Sequence, residues 1–156
     1  MLAAEVARRI LSASGNVYHQ GWVTPPSGDG GADFVARLDL GTGFATTKLV
    51  VLGQAKCEVP HVATSGRDVA RTVARLRRGW IGVYVTTGCF SEAAQQEIIE
   101  DQYPILLVHG QRLAEEALQL ASENGHANVV NYLEKLELEY DTSVAQRRPE
   151  EIFLFL

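Results

Sequence analysis

Cysteine is scarce in this chain. Cys57 and Cys89 are the only two in 156 residues, too few for a disulfide scaffold or a four-thiolate zinc site, and both suit a reducing cytoplasm. We expect two small buried side chains rather than a bonded pair. The four histidines, His19, His61, His109 and His126, show no metal-ligand spacing and read as structural or exposed. No apolar run reaches the ~18 residues of a membrane helix, so no membrane span is expected. The opening Met1-Leu2-Ala3-Ala4-Glu5 reads as the start of a helix rather than a basic-then-apolar leader. Gly28-Asp29-Gly30-Gly31 is not followed by Gly-Lys-Ser/Thr, which excludes a nucleotide phosphate loop. A helix crowded with Arg, Asn and Gln for reading a DNA groove is also missing.

What remains is 46% hydrophobic and 21% charged, enough for one soluble domain over residues 1–156 with a sizeable core. The net charge of −5 conceals an asymmetry. Through Gly79 there are ten Lys/Arg against six Asp/Glu, and beyond it four against thirteen. An acidic average weighs against nucleic acid only weakly, because binding depends on a local basic face.

Hydrophobic periodicity predicts a helix over Ala3–Ala13 with Val6, Ile10 and Leu11 buried, then a strand over Val17–Val23. Pro25-Pro26 and the glycines up to Gly31 force a loop. Strands are expected over Asp33–Leu40 and Lys48–Lys56, joined by Gly41-Thr42-Gly43. A helix follows over Ser65–Arg78, with Val69, Val73 and Leu76 inward and Arg67, Arg71, Arg75 and Arg78 on another face. Further strands are Ile81–Thr86 and Ile105–Val108, with a helix between them that Ser91 caps. Residues from about 111 read as a helical hairpin broken near Asn124-Gly125, then a tail ending in the apolar Ile152-Phe153-Leu154-Phe155-Leu156. This alternation gives an α/β fold: a mixed central sheet flanked by helices, with a C-terminal helical hairpin. Trp22 and Trp80 are expected in the core.

Chemistry concentrates between Ser27 and Glu58. If the hairpin turn centres near Phe44, pairing follows a sum of about 89 and Asp33 lies across from Lys56. Alternation puts Gln54 and Lys56 on one face. A carboxylate, an amide and an amine then converge beside a glycine-rich loop. Asp33, the backbone carbonyl of Ala55 and the amide oxygen of Gln54 are oxygen donors of the kind that Mg2+ prefers. Lys56 can orient or help deprotonate a water and stabilise charge on a phosphate. An ordinary Asp33–Lys56 salt bridge, worth about 0–1 kcal/mol when exposed, accounts for the same spacing. The arginines Arg67, Arg71, Arg75 and Arg78 suit phosphate oxygens or a solvated helix face. Thr86, Thr87 and Ser91 suit phosphate contact or a strand end feeding an N-cap, and Asp29 suits loop stabilisation better than metal binding.

Ser27-Gly28-Asp29-Gly30-Gly31-Ala32-Asp33 followed by Gln54-Ala55-Lys56 resembles the Mrr-like branch of the PD-(D/E)xK restriction endonuclease superfamily. In that branch Gln often stands at the middle acidic position. Gly21-Trp22-Val23, the run from Val85 to Ala94, and Pro104-Ile105 through Leu113 extend the resemblance over most of residues 3–118. The spacing and Arg147-Arg148-Pro149-Glu150-Glu151-Ile152 look most like the cleavage domain of MspJI-like, cytosine-modification-dependent endonucleases. The resemblance implies a restriction-endonuclease-like fold and a Mg2+-dependent DNA endonuclease, with Mn2+ as substitute. It makes Asp33 the metal-binding acid, Gln54 the middle motif residue and Lys56 the catalytic lysine. Glu5 falls where many relatives carry an accessory acid. The implied partners are double-stranded DNA, a second copy for double-strand cutting and a separate domain that reads the modified base. A non-catalytic DNA-binding or assembly module, or a DNA-repair or junction nuclease, is the alternative on the same fold.

Overall fold

Alternation of apolar side chains decides which way each strand faces, and here it builds two cores on one sheet. A computed structural model describes residues 1–13, 15–26 and 31–154; Asp29 and the glycines at 28 and 30, like Phe155 and Leu156, lie outside them. The described elements are helix α1 (Leu2–Ser12), strands β1 (Val17–Val23), β2 (Phe34–Leu40), β3 (Thr47–Lys56) and β4 (Ala63–Thr64), and helix α2 (Gly66–Val73). There follow β5 (Trp80–Thr86), β6 (Cys89–Phe90), α3 (Glu92–Glu100) and β7 (Ile105–Val108). The chain ends in α4 (Gly110–Glu123), α5 (Val129–Leu138), a short α6 (Tyr140–Ser143) and a 3-10 helix at Pro149–Leu154.

The central sheet has the order β1-β2-β3-β5-β7. Its first three strands are antiparallel, and β3, β5 and β7 run parallel. This is the mixed sheet expected from an antiparallel front end feeding crossover helices. On one face Phe34, Ala36, Leu38, Val51, Val83, Val85 and Val108 pack against α1 and the C-terminal hairpin, through Val6, Ala7, Leu120 and Tyr132. On the other, Val35, Val50 and Leu52 meet Trp22, Trp80 and Ile152. Tyr84, Val69 and Phe90 continue that second core toward α2. Ile152 thus buries the start of the apolar tail in the domain itself, whereas Phe153 and Leu154 stay exposed.

Three expectations are corrected. The β2–β3 register pairs Phe34 with Gly53 and Leu40 with Thr47, a sum of 87 rather than about 89. Gly41 and Gly43 both adopt positive φ, and with the 3-10 turn Gly43–Ala45 they tighten the connection toward the start of the hairpin. A shift of two residues preserves every side chain's face but no longer sets Asp33 across from Lys56. Second, α2 ends at Val73 rather than Arg78; single turns, Leu76 N–H to Val73 and Trp80 N–H to Arg77, carry the chain into β5 past Gly79 at φ +79°. Third, Cys57 and Cys89 are both exposed, because Cys57 lies just past the end of β3 and Cys89 opens the two-residue β6, both outside the central sheet.

The core leaves no room at Gly53, where an added Cβ would overlap the ring of Phe34, itself 2% exposed. Gly53→Ala is expected to lower stability by about 1–3 kcal/mol through overpacking. Urea unfolding followed by fluorescence of Trp22 and Trp80 measures this.

Candidate active site

The residues of the candidate site lie at the end where β3 outruns β2. Asp33 stands just before β2, its N–H donating to the Gly53 carbonyl of β3 at 2.7 Å. Its side chain then does what the missing strand cannot: Oδ2 accepts the Ala55 N–H at 2.6 Å. An N–H and a carbonyl of one strand residue point the same way, so the Ala55 carbonyl projects toward the side of the sheet occupied by Asp33. Gln54 shares the face of Lys56 and lies across from Tyr84 in the parallel register. Its Oε1 accepts from the hydroxyl of Thr72 on α2 at 3.0 Å, which fixes the amide against a buried partner.

Lys56 does not pair with Asp33. Its Nζ lies 2.9 Å from Oε1 of Glu58 and 3.3 Å from Oδ2 of Asp68. The bond with Glu58 and then the one with Asp68 hold the ammonium above its ordinary pKa, against the cost of burial. Lys56 is therefore a cation at neutral pH, suited to stabilising negative charge rather than to taking a proton. Hydrogen bonds from Thr64, Lys56 and Thr86 hold Glu58 below the usual carboxylate range, and Ser65 followed by Lys56 does the same for Asp68. Burial pushes the Tyr84 phenol up, and it lies in the field of Lys56, Asp68, Glu58 and Asp33 together.

Glu5 is mostly buried on α1 and bonded to Arg8 at 2.9 Å. Burial holds the amine of Met1 below its ordinary pKa, against the opposing pull of the Asp33 and Glu5 charges. A cleft of about 300 Å³ opens there, lined by Met1, Leu2, Ala55, Lys56, Thr86 and Leu113 among others. The expected arginine face is not one face, because α2 stops before Arg75. Arg71 reaches Asp68 at 3.7 Å, and Arg75 Nη1 donates to the Gly31 carbonyl at 2.5 Å, two residues from Asp33. Arg77 instead bonds Glu150 and lies 5.3 Å over the ring of Trp80. Arg67 and Arg78 are exposed.

Thr86 and Thr87 are not open to a phosphate. Thr86 is fully buried and donates to Glu58 at 3.0 Å, and the Thr87 hydroxyl bonds the Glu58 backbone. Ser91 is the N-cap of α3, accepting the Ala94 N–H at 3.2 Å. Among the described residues no three His, Cys, Asp or Glu side chains are placed to hold a metal together. The donor set at the strand end is one carboxylate, one amide oxygen and one backbone carbonyl. Such hard, mostly neutral oxygens fit a Mg2+ ion that keeps several waters.

The restriction endonuclease model Mrr_cat matches residues 3–117. The chain belongs to this family of restriction endonuclease catalytic domains. The MspJI restriction endonuclease, solved in complex with a 27-mer oligonucleotide, matches at 49% identity with a TM-score of 0.92. That match covers 99% of this chain and 34% of the MspJI chain, so the present chain spans about a third of that relative. The DNA modification-dependent restriction endonuclease AspBHI shares the fold at 21% identity and a TM-score of 0.63, over 88% of this chain and 39% of its own. No curated protein matches the chain significantly. No helix among the described residues is long and apolar enough to cross a membrane.

Glu58, Asp68 and Thr72 are the residues that sequence reasoning passed over. Lys56-x-Glu58 was the available signal, since period-two alternation carries one face past the strand end. Asp68 and Thr72 had none, because only the packing of α2 on the sheet brings them to Lys56 and Gln54. Asp68 also carries a pH signature. A carboxyl held low when folded contributes stability above its unfolded value and loses it as pH falls through the folded one. As pH falls below the ordinary aspartate value, then, Asp68→Asn is expected to lose stability less steeply than the parent, as acid titration of the unfolding free energy will show.

Proposed function

We propose that this chain is the cleavage module of a Mg2+-dependent DNA endonuclease, with Mn2+ able to replace Mg2+, that acts within a modification-dependent restriction enzyme. What supports the reading is the Asp33 carboxylate bonded to the Ala55 N–H at 2.6 Å, between Gln54 and Lys56 at the end of β3, in a chain of this family. Asp33, the Ala55 carbonyl and Gln54 would hold the cation, and Glu5 would reach it through water. A bound divalent ion supplies Lewis-acid polarisation of the phosphate and a more acidic water. Lys56, already cationic, stabilises the charge that grows on the phosphate oxygens. Arg71 and Arg75 border the same end and would position the DNA backbone, a role that Arg67 and Arg78 share only as exposed cations.

Double-strand cleavage needs two such centres, so a second copy is part of the proposal. The reading of the modified cytosine is assigned to a domain outside this chain, in keeping with its span of a third of MspJI. The test is cleavage of cytosine-methylated and unmethylated plasmid with Mg2+, Mn2+ or Ca2+. Cutting in Mg2+ and Mn2+ but not in Ca2+ is expected. Duplex binding in all three without nicking would instead favour the non-catalytic module, and a preference for branched over linear DNA the repair nuclease.

A further inference from the structure

We infer that Glu58 is a positioning residue for the catalytic lysine: it fixes the ammonium of Lys56, and Asp68 is the partner that DNA displaces. This rests on the reading of Lys56 as the catalytic lysine. The two carboxylates that hold Lys56 are built differently. The Glu58 side chain is 11% exposed and that of Asp68 27%. Glu58 uses one oxygen, Oε2, to accept from Thr64 on β4 and from Thr86 on β5, and both threonines are fully buried. Its other oxygen is thereby aimed at Nζ of Lys56, 2.9 Å away.

The backbone is clamped as well. The Glu58 N–H donates to the Thr87 hydroxyl at 2.6 Å, that hydroxyl reaches the Glu58 carbonyl at 2.6 Å, and the Thr87 N–H donates to the Lys56 carbonyl at 3.2 Å. Lys56 and Glu58 are thus stitched to the end of β5, so the carboxylate has little freedom to follow a moving lysine. Asp68 has the opposite character. It sits in the first turn of α2, is shared among Lys56, Ser65 and Arg71, and its bond to Lys56 is the longer one. An ammonium has three N–H donors. With Glu58 holding one, an incoming phosphate oxygen exchanges for Asp68 without the lysine leaving its pivot.

A buried carboxylate that serves only the fold would affect stability, DNA binding and rate together. A positioning carboxylate separates them. In Glu58→Gln the amide oxygen still accepts from Thr64 and Thr86, but the charged partner of Lys56 is gone. Using the full chain, duplex affinity in Ca2+ is expected to stay within about twofold of the parent or to tighten, because a negative charge near the phosphates is removed. The single-turnover cleavage rate in Mg2+ is expected to fall on the order of 100-fold, the scale of a misplaced catalytic group. Asp68→Asn is expected to slow cleavage less than Glu58→Gln. Val69→Ala, which opens the core beneath α2 without touching Lys56, supplies a variant of lowered melting temperature and unaltered rate. Parental cleavage by Glu58→Gln, beside a dead Lys56→Ala, would overturn the positioning role, as would equal slowing by Val69→Ala. If Lys56→Ala itself cuts at the parental rate, the catalytic reading of the lysine fails first, and the two failures are distinguishable.

Discussion

Asp33→Asn is expected to abolish DNA cleavage while leaving the fold standing. The substitution keeps an oxygen where Oδ2 accepts the Ala55 N–H at 2.6 Å, so the end of the β2–β3 ladder stays closed. What it removes is the one negative charge in the donor set of Asp33, Gln54 and Ala55. Since the other two donors are neutral, nothing in the set replaces it. A loss of about 4 kcal/mol of transition-state stabilisation corresponds to roughly 10³-fold in rate. Cleavage in Mg2+ measured beside thermal unfolding checks both halves. Asp33→Ala also strips the Ala55 N–H of its acceptor, and is expected to match the loss of cleavage with a lower melting temperature. Full cutting by the Asn variant would show that the strand-end carboxylate is an architectural cap and nothing more.

Lys56→Ala is expected to cost a similar amount for a different reason. Removing one fixed cation aimed at developing negative charge lowers rates on the order of 10²–10³-fold. The lysine is 39% exposed at its side chain, so the stability its ion pairs contribute is screened by solvent and small. Most of the damage should therefore fall on catalysis. The substitution leaves Glu58 and Asp68 without the ammonium between them, and added salt is expected to recover melting temperature in the variant without recovering cleavage. Parallel measurements of melting temperature and cleavage across an ionic-strength series test this. Recovery of cleavage together with stability would mean that Lys56 acts through the fold.

Both expectations were partly legible before the structure. Alternation placed Asp33, Gln54 and Lys56 on one face of one sheet, and the hairpin placed them at one end of it. Neither depended on the exact register, since a shift of two residues conserves the face. Which residues face each other across the hairpin was not legible. That depends on Gly41, Gly43 and the 3-10 turn, whose positive φ angles set the length of the connection. The same limit applies to α2. Its buried stripe through Val69 is readable, but the same periodicity carries on through Arg75 and Arg78, past the Val73 at which the helix ends.

By itself the sequence determined the mixed α/β sheet, the faces of its strands, the helical hairpin at its C-terminal side and the family's Asp…Gln-x-Lys order. These follow from periodicities of 2 and 3.6 and from residue types, all local properties of the chain. The tertiary structure alone decided that Lys56 answers to Asp68 rather than to Asp33. It also decided that Thr72 holds Gln54 and that the two cysteines face solvent. Those outcomes turn on distances between segments far apart along the chain, and packing of α2 and β5 against the end of β3 sets them.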